Sequence, residues 1–158
     1  MADLLLADDR MRRPRLDGTR RPDQPPLSRP GDSPEPPRSD IECPVLIVED
    51  DADLREMMAQ LLTLEGFAAA TVSNGREALA YLRAHVAPDV ILLDLMMPVM
   101  DGWEFRREQR LDREMAEVPV IVLSALDQAR VAEVAADAFL KKPLDFDRLL
   151  ELIRRYCA

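Results

Sequence analysis

Four consecutive apolar residues, Val90-Ile91-Leu92-Leu93, run straight into the carboxylate of Asp94. A short, unbroken apolar run suits a strand buried on both faces, as in a parallel sheet. Pro98 and Gly102 then break the chain into a loop. Open α/β sheets place their chemistry at the carboxyl ends of central strands, where Asp94 falls in this reading. Asp is also a common turn residue, so this stretch alone leaves Asp94 open as a plain cap of the turn that follows.

The surrounding chain repeats the pattern. Val45 to Val48 is a second apolar run and ends in Glu49-Asp50-Asp51. Leu54, Met57, Met58, Leu61 and Leu62 follow at the spacing of one helical face, closed by Gly66 as a C-cap. Phe67 to Val72 reads as a short strand, Asn74-Gly75 as a turn, and Ala78, Leu79 and Leu82 carry a helix to about His85. A third helix is expected from Trp103 to about Met115, and a fourth strand from Val118 to Leu123, stopping at Ser124. Pro119 is tolerable near that strand's start. A short helix from Asp127 to about Ala135, a strand from Ala138 to Lys141 and a last helix from Asp145 to about Cys157 complete the chain. Strands alternating with helices predict an α/β fold, a parallel sheet covered on both faces through right-handed crossovers.

Composition sets the boundary. Nine of the 13 prolines lie in residues 1–44, with few large apolar residues beyond Leu4, Leu5 and Leu6. Residues 1–42 therefore read as a disordered Pro- and Arg-rich tail, and 43–158 as the folded domain. Residues 1–40 balance eight Arg against eight acids, so the net charge of −9 sits on the remainder. An acidic domain argues against nucleic acid as its main partner, because duplex binding needs a basic footprint. No apolar run approaches a membrane span, and the start is not a signal peptide. Cys43 and Cys157 stand far apart without a CxxC, and read as reduced thiols of a cytoplasmic protein with no zinc site.

The expected strand ends gather Glu49 and Asp50, Asp94, Ser124 and Lys142. Three carboxylates held close repel one another unless a counter-charge joins them. A hard dication such as Mg²⁺ meets that demand, with a lysine as a point charge for phosphate. These parts suit phosphoryl transfer to an Asp carboxylate. Each residue also has a plain reading: Glu49 and Asp50 starting a helix, Ser124 in a turn, Lys142 on the surface, Phe139 in the core. The chain has 19 Arg but only Lys141 and Lys142 as lysines, which favours a specific task for Lys142.

Four segments in order resemble the receiver domain of two-component response regulators. They are Val45-Leu-Ile-Val-Glu-Asp-Asp51, Pro88-Asp-Val-Ile-Leu-Leu-Asp-Leu-Met-Met-Pro-Val-Met-Asp-Gly102, Val118-Pro-Val-Ile-Val-Leu-Ser-Ala125 and Phe139-Leu-Lys-Lys-Pro143. The resemblance implies a flavodoxin-like, doubly wound five-stranded sheet in the order 2-1-3-4-5 with five helices; the chemotaxis member of this family is a standard example of that order. It implies Asp94 as phosphoacceptor, Asp50 and Glu49 with the Met96 carbonyl around Mg²⁺, Ser124 and Lys142 on the phosphoryl group, and Phe139 with Ser124 as switch residues. It also implies a cis Lys142–Pro143 bond. The spacing from Ser124 to Lys142 is about four residues, one helical turn, shorter than is usual in the family. The usual Gly-Ala-Asp before the last strand is here Ala135-Ala-Asp137.

The function implied is a stand-alone, chemotaxis-regulator-like receiver in the bacterial cytoplasm. A histidine kinase or histidine phosphotransfer protein donates the phosphoryl group, and output runs through contacts with a downstream protein, as monomer or weak homodimer. It is not an enzyme beyond its own phosphorylation and dephosphorylation. A phosphatase with an Asp nucleophile would carry a second Asp two residues on, where Met96 stands. An unphosphorylated binding module is disfavoured by the intact Asp94, Ser124 and Lys142. A nucleotide-binding fold would need a Gly-rich loop where Glu49-Asp50-Asp51 stands.

Overall fold

A computed structural model describes residues 43–157; the expected disordered tail at 1–42 lies outside the described residues. The elements are β1 (Pro44–Val48), α1 (Ala52–Leu64), β2 (Ala68–Val72), α2 (Gly75–Ala84), β3 (Val90–Asp94), α3 (Gly102–Leu111), β4 (Val120–Ser124), α4 (Gln128–Val131), a 3₁₀ turn (Ala132–Val134), β5 (Ala138–Lys141) and α5 (Phe146–Tyr156). All strand pairs are parallel, in the order β2-β1-β3-β4-β5. This is the doubly wound order expected above.

The apolar runs of β1, β3 and β4 supply both faces of the sheet. Because side chains alternate along a strand, Val45, Ile47, Val90, Leu92, Ile121 and Leu123 fall on one face. Leu46, Val48, Ile91, Leu93, Val120 and Val122 fall on the other. The first face is covered by Met58 and Leu62 of α1 and by Leu149, Leu150 and Ile153 of α5. The second is covered by Ala78, Leu79 and Leu82 of α2, by Phe105 of α3 and by Val131 of α4. Each fully buried aliphatic contributes roughly 1.5–3 kcal/mol, so the central strands carry much of the stability.

Four acidic or amide side chains start the helices. Asp51, Asn74, Asp101 and Asp145 each accept from backbone N–H groups of the first turn of α1, α2, α3 and α5. Asp51 takes the capping of α1, accepting from Asp53 N at 3.0 Å and Leu54 N at 3.2 Å. Glu49 and Asp50 are thereby released from the helix-starting role their charge alone would suggest. Gly66 follows α1 at φ 91°, a left-handed conformation that suits glycine.

The fourth helix occupies the expected stretch, with Asp127 before it and Ala135 after it, but changes type along its length. It runs four residues, tightens into the 3₁₀ turn, and stops at Ala135 with φ 52°. A helix this short leaves carbonyls without partners. Arg106 of α3, 8% exposed, answers them. Its Nε donates to Val134 O at 3.4 Å and its Nη2 to Ala135 O at 2.8 Å. Nη1 donates to Gln109 Oε1 at 2.8 Å, and Gln109 donates onward to Met115 O and Val118 O. A buried guanidinium thus ties down the end of this short helical stretch. The third helix likewise ends at Leu111, short of Met115, and Gln109 ties down the turns that follow.

The reading of Cys43 and Cys157 as separate reduced thiols is corrected. The structure joins them in a disulfide with a Cα–Cα distance of 5.5 Å. Helices of a parallel sheet run back against the strands, so α5 ends at the edge where β1 begins. Both elements border the same core face, which brings the two cysteines together although 114 residues separate them.

Candidate functional site

The carboxyl ends of β1, β3, β4 and β5 meet at one edge of the sheet. Glu49 and Asp50 follow β1, Asp94 ends β3, Ser124 ends β4, and Lys142 follows β5. Carboxylate oxygens of Glu49, Asp50 and Asp94 all lie within 4.8 Å of one another. Glu49 is 1% exposed and Asp94 5%, whereas Asp50 is exposed.

One cation sits against the two buried acids. Lys142 Nζ donates to Glu49 Oε2 at 3.0 Å and lies 3.6 Å from Asp94 Oδ2. Lys142 is held there by its backbone: its N–H donates to Ser124 O at 2.9 Å, and the Lys142–Pro143 bond is cis. Burial alone would lower the lysine's pKa, but the bond to Glu49 and the charge of Asp94 outweigh it and hold it above the ordinary value. The Asp94 pKa is raised as well, which for an acid favours the neutral form. Its carboxyl is pushed up to about 7, first by burial and then by the charge of Glu49. Lys142 and the Met96 N–H, which donates to Asp94 Oδ1 at 3.3 Å, only partly oppose this.

The loops around the acids are tied to fixed groups. Arg55, a residue the sequence reading passed over, reaches back from α1; its Nη1 donates to Glu49 O at 2.8 Å. Glu49 Oε1 accepts from Asp51 N at 3.2 Å. Gly102 lets α3 close on the end of β3: a Cβ there would stand 2.7 Å from Asp94 O and 2.8 Å from Leu95 Cα. Between them Val99 adopts φ 71°, a strained conformation for a β-branched residue. Bonds from Met100 N to Pro98 O, Gly102 N to Leu95 O and Gly75 N to Met100 O hold that loop. Only the general rule that β-branched residues avoid positive φ could have flagged Val99, and it would have argued against the observed geometry.

The remaining expected residues lie nearby with different surroundings. Ser124 is buried, and its Oγ accepts from Leu126 N at 3.1 Å. Phe139 is partly buried on β5, opposite Val122, against the face covered by α2, α3 and α4. The Met96 side chain is 60% exposed at the rim of the acidic cluster.

As chemistry, the edge is a hard-oxygen donor set with one ammonium beside it. Among the described residues the three carboxylates share one lysine ammonium, and burial together with the charge of Glu49 raises the Asp94 pKa. Such a set fits a small divalent cation that prefers carboxylate and carbonyl oxygens. No helix among the described residues is long and apolar enough to cross a membrane.

Comparison with known proteins agrees with this arrangement. The sequence profile described as the response regulator receiver domain matches residues 45–154. The alkaline phosphatase synthesis transcriptional regulatory protein SphR of Synechococcus elongatus is 37% identical over 131 residues, covering 75% of this chain and 50% of SphR. The chain spans about half the length of SphR and of other transcriptional regulators it matches. The polar-differentiation response regulator DivK of Brucella anthropi is 32% identical over 116 residues, covering 71% of this chain and 94% of DivK. The crystal structure of response regulator TrrA from Thermotoga maritima, in complex with Mg²⁺-BeF, is 30% identical with a TM-score of 0.64, covering 72% of this chain and 97% of that one. A buried aspartate at the end of a central strand, in a five-stranded sheet of this order and under this profile, leaves one conclusion: the chain belongs to the response regulator receiver domain family, whose members are phosphoryl-accepting signalling domains.

Proposed function

We propose that Asp94 takes a phosphoryl group from a phosphohistidine of a histidine kinase or histidine phosphotransfer protein. The observation that carries this reading is a buried Asp94 carboxylate within 4.8 Å of the Glu49 and Asp50 carboxylates, with Lys142 Nζ between Glu49 and Asp94 at 3.0 and 3.6 Å. In the transfer, an Asp94 oxygen attacks phosphorus, the P–N bond breaks, and the departing imidazole takes up a proton from solvent. Lys142 pairs first with Asp94 and then with the phosphoryl oxygens. Ser124 exchanges the Leu126 N–H for a phosphoryl oxygen, to which its hydroxyl donates.

Glu49, Asp50, Asp94 and the Met96 carbonyl would hold Mg²⁺, which when bound neutralises the carboxylates and the transferring phosphoryl charge. The donor set fits, and the related TrrA structure contains Mg²⁺-BeF. Movement of Ser124 toward the phosphoryl group would free space beside Phe139 on the neighbouring strand. That repacking is the two-state element the phosphoryl group biases.

In this reading residues 43–158 form a receiver that acts alone in the bacterial cytoplasm as a monomer or weak homodimer. It signals by protein contacts with a downstream protein, and its enzymology is limited to its own phosphorylation and dephosphorylation. The net charge of −9 supports protein over nucleic acid as the domain's direct partner. The curated name of SphR speaks of transcriptional regulation, and that belongs to SphR.

The test is incubation of the full chain with a small phosphodonor, followed by intact-mass analysis. One added phosphoryl group is expected with Mg²⁺ and essentially none with EDTA. Uptake that ignores the chelator would remove the metal from the reading.

Lifetime gives a second expectation. Met96 and Leu126 stand two residues past Asp94 and Ser124, positions that by resemblance to the family flank the path of an attacking water, and both are apolar. Neither can orient an attacking water. Self-hydrolysis of the phosphoryl group is expected to be slow, and a polar residue at Met96, as in Met96→Asn, to speed it about tenfold, the effect of roughly 1.4 kcal/mol in a barrier. Time courses by intact mass decide this; equal, fast loss from both proteins would refute it.

A further inference from the structure

At the opposite edge of the sheet from Asp94, Cys43 and Cys157 form a covalent link between the start of β1 and the end of α5. We infer that this pair is a reversible thiol–disulfide switch that locks the last turn of α5 to the point where residues 1–42 enter the domain. The reversibility rests on the cytoplasmic role proposed above. Disulfides in reducing compartments are usually transient and redox-sensing, whereas those of secreted domains are permanent.

The geometry fits exchange. The Cα–Cα distance of 5.5 Å is that of an ordinary bridge, so the folded domain accommodates the link. Cys43 is 2% exposed, while Cys157 is partly exposed at the end of α5. Cys157 is therefore the sulfur that meets a partner from solution. Its thiolate attacks a low-molecular-weight disulfide, R–S–S–R, giving a mixed disulfide and releasing one RS⁻. The Cys43 thiolate then attacks the Cys157 sulfur, releasing the second RS⁻. The two cysteines lose two electrons and two protons, and R–S–S–R is reduced to two R–SH.

The link reaches beyond the helix end. Tyr156, next to Cys157, donates its hydroxyl to Asp137 O at 3.3 Å. The Asp137 carboxylate accepts from Val120 N at 2.8 Å and lies 3.7 Å from Arg106, the residue that holds the short α4 segment. Closing the bridge fixes Tyr156, and with it the lead into β5. Opening it frees the last turn of α5, which the C-cap bond from Cys157 N to Ile153 O holds at 3.2 Å. Because the link closes a loop of more than a hundred residues, it constrains the unfolded chain strongly.

The experiment equilibrates the full chain with oxidised glutathione or with dithiothreitol, traps thiols with an alkylating reagent, and counts labels by intact mass. No label is expected after glutathione disulfide, and two after dithiothreitol. The oxidised protein should melt about 10 °C or more above the reduced one. Amide exchange at Arg154 to Cys157 and at Ala136 to Ala138 should slow on oxidation. Cys43→Ser and Cys157→Ser should each abolish the melting shift and the exchange difference. Two labels after glutathione disulfide would overturn the proposal, as would a melting shift that persists in either serine variant. A third outcome would also overturn it. The Asp89 carboxylate lies within 4.8 Å of both sulfurs, so reduced protein that retains stoichiometric zinc and then resists oxidation would make the group a metal site. Thiol trapping needs neither phosphodonor nor Mg²⁺, so a failure here and a failure of phosphoryl uptake are separate results.

Discussion

Asp94→Asn is expected to lose phosphoryl uptake altogether and, as metal-free protein, to be more stable than wild type at neutral pH. The first effect follows because Asn keeps the shape but has no carboxylate to attack phosphorus. The second follows from linkage. The folded-state pKa of Asp94 is raised from 3.8 to about 7. Between those values the folded state binds more protons than the unfolded state, so stability falls as pH rises through that window. Above about pH 7 the folded protein carries the full cost of an ionised Asp94 beside Glu49. At 1.36 kcal/mol per unit, that cost is about 2–4 kcal/mol. Urea unfolding in EDTA at pH 5 and pH 8 measures it. Wild type should weaken between the two, Asp94→Asn should weaken less, and the variant should be the more stable at pH 8. Mg²⁺ should restore wild type by mass action and the variant much less. A variant no more stable than wild type at pH 8 would mean that Lys142 already neutralises the pocket. Uptake retained in the variant would move the acceptor elsewhere.

The parts of this site that were legible are those whose chemistry is written in residue type. Val90 to Leu93 had to be buried on both faces, and the structure puts their side chains alternately into the two cores. Asp94 at its end and Glu49-Asp50 after β1 could be placed on one edge as soon as the strands were taken as parallel. The strand order itself came from the resemblance, since alternation alone does not say which strand sits in the middle. What stayed hidden depends on that order. The meeting of Cys43 with Cys157 requires knowing that α5 returns to the start of β1 on the same face. Nothing in the sequence sets Arg106 apart from the other charged residues of α3, and its burial makes sense only once its bonds to Val134 O and Ala135 O are seen. Val99 and Ala135 hold positive φ against their intrinsic preferences, so local propensity pointed the wrong way at both. Asp51 resolves the ambiguity of the acidic triplet. Three acids in a row could all have been helix starters, and one of them is.

Lys142→Met should destabilise the metal-free domain by about 3 kcal/mol and cut phosphoryl uptake sharply. Removing one partner of a buried pair leaves the other charge without compensation, which costs far more than the pair is worth as a whole. Here the stranded group is Glu49, 1% exposed, whose Oε2 accepts from Lys142 Nζ at 3.0 Å. Met keeps the apolar stem, so packing changes little. The lysine's own pKa is raised, so its contribution is present below the ordinary lysine value and is lost only as pH rises through the higher folded value. Across pH 5–9 the lysine stays charged, and any pH dependence of the variant's deficit comes from the acids. That deficit should shrink toward pH 5, where Asp94 is protonated and repulsion with Glu49 is relieved. A double-mutant cycle with Glu49→Gln separates the causes. If the cost is an uncompensated carboxylate, Glu49→Gln should recover most of the stability lost in Lys142→Met, yet leave uptake low because the phosphoryl oxygens still lack their cation. Lys142→Arg should not restore uptake fully, since a planar fork cannot replace a compact ammonium between two acids. Additive costs in the cycle would show that Glu49 and Lys142 act independently, and the 3.0 Å contact would then carry no energy.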